Sequence, residues 1–482
     1  MESQTDKSIS ARMSGNRSLT HGIALAAFSF VLFLPLIGAG FVHDDFVWLY
    51  NVAYRPRWYG LTNPHQSFYT PLTWLTFKID WTLWGLRPFP LALENLLLHI
   101  LNTLLLYRLA LRLWRSHVAA WWTAFGFALF HIANSWAVMW ISARTHSLAT
   151  FFFLAAMLAT VRYVQVQRRR LIDAIVIIAC CACSMLAKEN GVTSIAAVAV
   201  VMCYVGGMRR LRDTWLSTTI LAGALLTVLY IYLMLRVWVG AVPIGANDGW
   251  YHYSYEMGVL ASNLKEYLSR TYLIAAILAG AIALSQLLRG IRPRLECLGR
   301  REIIFSLMLF AVTLAPVILI RGRSGLYTYL PGIGAALLLG VTARELYADT
   351  EENKRPHTLK NLSPIIVVVF ALGIATVGQS LKWRRMGRTN SIILTQIAQQ
   401  ETRPEPNTLI SIKYAERDGR HRFPDGFGTW GFPFAVKLLY RDQSLNGEIV
   451  REGTTAGVVE GSRETIYLYR ADEGDPKVIK GQ

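Results

Sequence analysis

The sequence predicts an all-α polytopic membrane protein of about eleven transmembrane helices, with a small C-terminal soluble α/β or β domain. Three observations carry that prediction. Hydrophobic residues make up 53% of the 482 positions and the mean hydropathy is +0.33, more than a soluble domain of this size sustains. Apolar runs of about 20 residues recur, each long enough to cross a hydrocarbon core about 30 Å thick. Past about Lys382 the chain turns polar, with Pro404, Pro406 and a glycine-rich stretch from Gly426 to Gly431. Residues 1–21 therefore read as a cytoplasmic N-terminal tail, 22–381 as the transmembrane domain and 382–482 as an extracytoplasmic soluble domain.

The first apolar run, Gly22 to Gly40, follows a basic tail with Lys7, Arg12 and Arg17. A signal peptide has the same order of features, but this run is long and no small-x-small cleavage site follows, so it reads as a retained anchor. Spans centre near Phe30, Leu98, Phe125, Phe153, Ile178, Val198, Leu225, Leu278, Phe310, Leu337 and Val369. A backbone in lipid must satisfy its own hydrogen bonds, so these spans read as helices. In the tail, Leu409–Tyr414, Val436–Tyr440 and Thr465–Tyr469 are short alternating runs and read as strands.

Charge placement sets the orientation. Arg108, Arg112 and Arg115, Arg168 to Arg170, Arg209 to Arg212, Arg289 to Arg301, and Lys354 to Lys360 fall in alternate short loops. The positive-inside rule puts those loops in the cytoplasm, with the N-terminus inside and the C-terminal domain outside a plasma or inner membrane. The same placement accounts for the formal net charge of +18, so no nucleic-acid partner is expected. Cys180, Cys181, Cys183 and Cys203 lie in apolar runs and Cys297 in a basic loop, without zinc-ligand spacing or a disulfide framework.

The outward loops hold the chemistry. Phe41-Val-His43-Asp44-Asp45-Phe46 sets two adjacent carboxylates just beyond the first span. Such a pair either marks the membrane boundary and caps the next helix or serves a reaction. Gln66 to Gly85 mixes Phe68, Tyr69, Trp74, Phe77, Trp81 and Trp84 with Lys78 and Asp80, as in a helix lying in the interface with an aromatic face toward lipid. Asn95, His99 and Asn102 share one helix face. That face must meet protein or a wet cavity, and interhelical hydrogen bonding is the commoner use of such residues. The second outer loop runs from His131 to His146 and includes Arg144, and the third is the Lys188–Glu189 turn. The fourth carries Trp250, Tyr251, Tyr253 and Tyr255, and Arg321 and Arg323 stand outside against the charge rule.

In order along the chain stand Asp44-Asp45; Tyr69-Thr-Pro71, Asp80 and Leu83-Trp-Gly-Leu86; Asn95-Leu-Leu-Leu-His99; His131 to Arg144; Lys188-Glu189; and Leu326-Tyr-Thr-Tyr-Leu-Pro331. This set resembles the membrane part of the GT-C glycosyltransferases, in particular the protein O-mannosyltransferases that carry tetratricopeptide repeats, over roughly residues 20 to 385. The resemblance implies a GT-C-like fold and an outward-facing site. It also implies a polyprenyl- or dolichyl-phosphate sugar donor, and inverting transfer to an acceptor hydroxyl of a protein or cell-envelope glycan. It makes Asp44 and Asp45 the catalytic pair. This chain departs from the pattern at Ile132, where proline is usual, at Trp136, where glutamate is usual, and at Gly325-Leu326, where Glu-Arg is usual. The repeats are absent and the tail replaces them.

On this reading Lys188, Arg144, Arg321 and Arg323 are candidates for the donor phosphate, because Lys offers a compact charge and Arg a bidentate fork. His43, His99, His131, Glu189, Tyr327 and Tyr329 are supporting residues. Hard cations favour carboxylate oxygen, so a divalent cation, Mg or Mn, on Asp44 and Asp45 is the one cofactor the sequence allows. The expected partners are a polyprenyl-phosphate-linked sugar, membrane lipid and an acceptor. A transporter or lipid flippase is the competing class, although it commonly shows paired halves and none are visible. A non-catalytic scaffold acting through the tail is the third.

Overall fold

A computed structural model describes residues 4–65, 67–129, 136–166, 170–241, 251–292, 299–352, 358–414, 426–428, 430–451, 463–470 and 476–481. His131 and Trp250 lie outside the described residues, as do basic-loop residues Arg168, Arg169, Arg294, Lys354 and Arg355.

The chain is mostly helical, and each predicted span centre falls inside a helix. Among the described residues eight helices are long and apolar enough to cross a membrane: Asn16–Leu36, Pro88–Trp114, Ile141–Gln165, Glu189–Asp213, Trp215–Trp238, Met257–Leu288, Arg300–Ile318 and Leu359–Gln400. The chain is thus an integral multi-pass membrane protein. Three more predicted centres fall in His117–Leu129 and Leu171–Ala187, which are shorter, and in Gly332–Glu352, whose second half carries Arg344 and Glu345. The Gly207 backbone kinks the helix Thr193–Asp213, and its φ of +66° is one that glycine adopts without strain.

The membrane helices pack around one large core, in which small residues let backbones approach. A Cβ at Gly340 would stand 2.5 Å from the Ala119 carbonyl oxygen. Close approach through Gly, Ala, Ser and Thr is how helices associate where lipid removes the hydrophobic drive. The cysteine cluster belongs to this packing, with Cys181 buried.

Three helices lie in the first outer loop. Tyr59–Thr62 is a single turn, and we label the other two α1 (Asp44–Tyr54) and α2 (Pro71–Trp84). The expectation of an interfacial aromatic face on α2 is corrected: Trp74 and Phe77 are buried, and the exposed stripe is Leu75, Ile79 and Leu83. The i, i+4, i+8 spacing puts aliphatic residues outward. Trp74 and Phe77 turn inward because they fill a second core shared with the tail, while Trp84 at the helix end stays exposed.

Among its described residues the tail folds as a four-stranded sheet with a helix, α3 (Gly431–Tyr440). Its strands are β1 (Thr408–Tyr414), β2 (Asn446–Arg451), β3 (Arg463–Arg470) and β4 (Lys477–Lys480), in the order β2-β1-β3-β4. β1 is parallel to β2 and β3, and β4 closes antiparallel on β3. The run Val436–Tyr440, expected as a strand, lies in α3. Phe432, Ala435 and Val436 share one helical face, and that face buries against α1 and the sheet. The long helix Leu359–Gln400 crosses residue 382 without a break, and its end joins this second core through Ile393 and Ile397.

A close backbone contact fixes the segment that leads into the carboxylates. A Cβ at Gly40 would stand 2.4 Å from the Gly387 carbonyl oxygen, and a Cβ at Gly387 would stand 2.4 Å from that of Gly40. Gly387→Ala should therefore cost about 1–3 kcal/mol by overpacking. Thermal unfolding in detergent would show this, and an unchanged midpoint would deny that the contact is tight.

Candidate active site

The two adjacent carboxylates have different surroundings. His43 precedes α1 with φ at +47°, and both aspartates occupy the first turn, where helix N-H groups favour negative charge. Asp45 is 1% exposed. Its Oδ2 accepts from Val42 N at 2.9 Å, and its Oδ1 accepts from Ser142 N at 2.8 Å and from the Ser142 hydroxyl. Burial pushes its carboxyl up to about 7, against the pull of those bonds. Asp45 thus ties the first outer loop to the second.

Asp44 is half-buried and turned elsewhere. Its Oδ1 accepts from Trp430 Nε1 of the tail, and among the described residues no hydrogen bond is made to its Oδ2. Burial raises its pKa, while the Trp430 bond and the charge of Lys188 oppose the rise. His43 packs among Trp140, Trp383 and Trp430 with ring centroids 5.8, 6.0 and 6.3 Å away.

Lys188 and Glu189 line a cleft of about 600 Å³ with Phe68, His146, Arg236, Tyr251, Tyr253 and Tyr327. Lys188 Nζ lies 3.9 Å from the centre of the Phe68 ring and 3.6 Å from Glu189 Oε2. Glu189 Oε1 accepts from Tyr69 N at 2.8 Å, and Thr73 donates to the Ala187 carbonyl at 2.9 Å. The Lys-Glu turn is therefore pinned to the first loop. Gly191 allows the turn to double back, since a Cβ there would meet the Ser184 backbone at 2.2 Å. Two cations face one carboxylate among the described lining side chains, a balance suited to an anion. Tyr251 senses both Asp44 and Glu189: burial first, then these charges, push its hydroxyl up to about 12. Asp44 therefore lies within electrostatic reach of the cleft.

The other expected site residues divide. Tyr327 joins the cleft, whereas Tyr329 turns into the bundle and bonds His99 Nδ1 at 2.9 Å and Asn102 Nδ2 at 3.2 Å. His99 and Asn102 thus make interhelical hydrogen bonds, as such a helix face most often does. The assignment of Arg144 to the donor phosphate is corrected. Arg144 is 1% exposed and pairs with Asp80 and, at 3.1 Å, with Glu94. It also donates to Asn95 Oδ1 at 3.1 Å and to the Leu91 carbonyl at 3.2 Å, so its donors are spent inside the protein. Arg323 is exposed and held on Asn263 and Ser262, and neither it nor Arg321 lines the cleft.

Sequence reasoning missed Arg236, His146 and Trp430. A lone cation at the outer end of the apolar run Trp215–Trp238 is a readable signal for Arg236. Nothing local marks Trp430, whose role arises from tertiary docking. For a divalent cation the fit is poor. Both oxygens of Asp45 already accept hydrogen bonds, and among the described residues no cluster of three His, Cys, Asp or Glu side chains stands together.

No family model matches the chain. In sequence it is similar to Protein O-mannosyl-transferase TMTC2 of Mus musculus, 28% identical over 246 residues, which cover 47% of this chain and 28% of that protein. It is also similar to Protein O-mannosyl-transferase TMTC1 of Homo sapiens, 37% identical over 137 residues, which cover 25% of this chain and 15% of that protein. The matched part is under a third of the length of these relatives. In structure it is similar to ArnT from Cupriavidus metallidurans bound to undecaprenyl phosphate, with a TM-score of 0.54 at 14% identity, covering 93% of this chain and 92% of that one. The apo form gives 0.51 at 15% identity, covering 90% and 86%. The resemblance read from the sequence is borne out: the sequence relatives are named as protein O-mannosyl-transferases, and the fold is similar to that of the aligned ArnT structures.

Arg144→Leu should behave as a folding defect. Removing one partner of a buried ion pair costs about 3–5 kcal/mol. Thermal unfolding of the purified variant checks this, and a wild-type midpoint with weakened donor use would return Arg144 to the phosphate set.

Proposed function

We propose that this chain, a membrane protein of the GT-C glycosyltransferase fold, transfers a sugar from a polyprenyl-phosphate donor to an acceptor hydroxyl on the outer face of the membrane, with inversion. The reading rests on two features of the outer loops taken together: a half-buried Asp44 and a cleft lined by Lys188 and Arg236. The orientation comes from the positive-inside rule, with the N-terminus and basic loops in the cytoplasm and the residues of this site outside. The relatives named for O-mannosyl transfer and the fold neighbour bound to undecaprenyl phosphate support the donor class.

The chemistry divides between the two parts. The acceptor oxygen attacks the anomeric carbon, and the bond from that carbon to the phosphate oxygen breaks. The bonding pair leaves with the polyprenyl phosphate, and Asp44 Oδ2 takes the acceptor's proton. Lys188, with Arg236, meets the charge that grows on the leaving phosphate, where a fixed cation in a sheltered site acts most strongly. A lipid-borne donor has a route to this cleft. The helix Trp215–Trp238 carries Arg236 inward and exposes Ile231, Met234, Val237 and Trp238. Asp45 and Arg144 hold the two loops in place, and no step is assigned to them.

Asp44→Asn should lower turnover by about 10²–10⁴-fold, the usual contribution of a general base. Donor binding and thermal unfolding should remain as in the wild type. The assay is purified protein against a panel of polyprenyl-phosphate sugars, with Ser/Thr peptides and oligosaccharides as acceptors and mass analysis of products. Wild-type turnover in Asp44→Asn would end this reading. Lys188→Met should raise the KM for the donor with little change in unfolding, and an unchanged KM would remove Lys188 from the site.

The sign of the pH dependence follows from Asp44. Its pKa is raised, so the proton stays on over a wider acid range and the base is lost sooner as pH falls. Turnover should therefore decline through a midpoint above about 4, the ordinary aspartate value. A pH–rate profile of kcat that stays flat to pH values near 4 would contradict this.

A further inference from the structure

Gly426, Gly428 and Gly431 of the tail lie directly on His43, in the segment that leads into the carboxylates. His43 N donates to the Gly426 carbonyl at 2.8 Å. A Cβ at Gly428 would stand 2.9 Å from His43 Nδ1, and one at Gly431 would stand 2.8 Å from the His43 carbonyl oxygen. Gly428 also has φ at +61°, the left-handed region that favours glycine. Both glycines therefore permit an approach that other residues would block. Phe427 stacks 5.5 Å from Phe46, and Asn390 Nδ2 donates to the Phe41 carbonyl at 2.9 Å, so the contact is braced on both sides. The approach ends with Trp430, whose indole N-H reaches Asp44 Oδ1 while its ring remains 45% exposed.

We propose that Trp430 is a positioning residue for the transfer reaction and that the C-terminal unit, through it, completes the active site. The inference rests on the reading of Asp44 as the base. Donation from Trp430 occupies Oδ1 and fixes the carboxylate plane, which leaves Oδ2 for the acceptor's proton. Among the described residues, the donor cleft at Lys188 draws no lining from the tail. Loss of the indole N-H therefore acts on turnover and spares donor binding.

The test uses full-length protein and the polyprenyl-phosphate sugar that the wild type turns over, read as release of polyprenyl phosphate. Trp430→Phe keeps a ring and removes the N-H. It should lower kcat by roughly 10- to 100-fold, the range for a hydrogen bond to a charged group, with the donor KM and the unfolding midpoint unchanged. Trp430→His, which restores a ring N-H, should recover part of the loss. Wild-type kcat in Trp430→Phe overturns the proposal, and so does a Trp430→His variant no better than Trp430→Phe. A drop in kcat accompanied by an equal rise in donor KM and a lowered midpoint marks a merely structural role and overturns it as well. Asp44→Asn is run alongside. If Asp44→Asn is inactive while Trp430→Phe is normal, only this inference fails. If Asp44→Asn is active, the reading of the site fails.

Discussion

The hydrogen bonds from Val42 and Ser142 to Asp45 are the constraint on which the outer half of the protein depends. A carboxylate that is 1% exposed is tolerable only when donors surround it, and these donors come from two different loops. The tie then propagates. The residues just before Ser142, Trp140 and Ile141, present their carbonyls to Asn95 Nδ2 at 2.9 and 3.2 Å. Asn95 Oδ1 in turn receives Arg144, and Arg144 pairs with Asp80 on α2. One polar network thus joins the first outer loop, the second outer loop, α2 and the helix Pro88–Trp114. The side chains of Asp45, Ser142, Asn95, Arg144 and Asp80 are all buried and partnered, which is the condition under which a polar network rigidifies a structure rather than weakening it.

That network also explains how far the sequence could be read. The helices were legible because apolar runs of membrane length admit no other backbone, and the predicted centres all lie in helices. The Asp44–Asp45 pair was legible as an unusual feature, but its division of roles was not. Adjacent residues on a helix point about 100° apart, and only the tertiary partners reveal which one faces Ser142 and which faces the tail. Arg144 was misassigned for a related reason: a cation at an outer loop looks available until Asp80, from another helix, is seen to take it. The run Val436–Tyr440 alternates well enough for a strand, yet tertiary burial of Phe432, Ala435 and Val436 selects the helix.

The tail and the first outer loop do not fold apart. Their common core includes Phe46, Trp48, Trp74 and Phe77 from the loop and Ile410, Ile412, Phe427, Phe432 and Val436 from the tail. A sheet with only four strands buries little by itself, and the loop helices alone would leave their aromatic faces bare. Each supplies the apolar partner the other lacks. This is why α2 turns its rings inward and offers aliphatic residues outward, against the pattern that an interfacial helix would show.

The same mutual dependence sets the electrostatics at Asp44. Burial raises the carboxyl's pKa, and the docked tail brings the indole N-H that opposes the rise. A general base needs a proton affinity high enough to pull and low enough to be free at the working pH. The docked arrangement approaches that condition by balance: desolvation on one side, and Trp430 with the Lys188 charge on the other. The balance is set where two chain segments more than 380 residues apart meet, Asp44 and Trp430 being separated by 386 positions. The proposed chemistry of the membrane domain is in this sense a property of the membrane domain and the tail together.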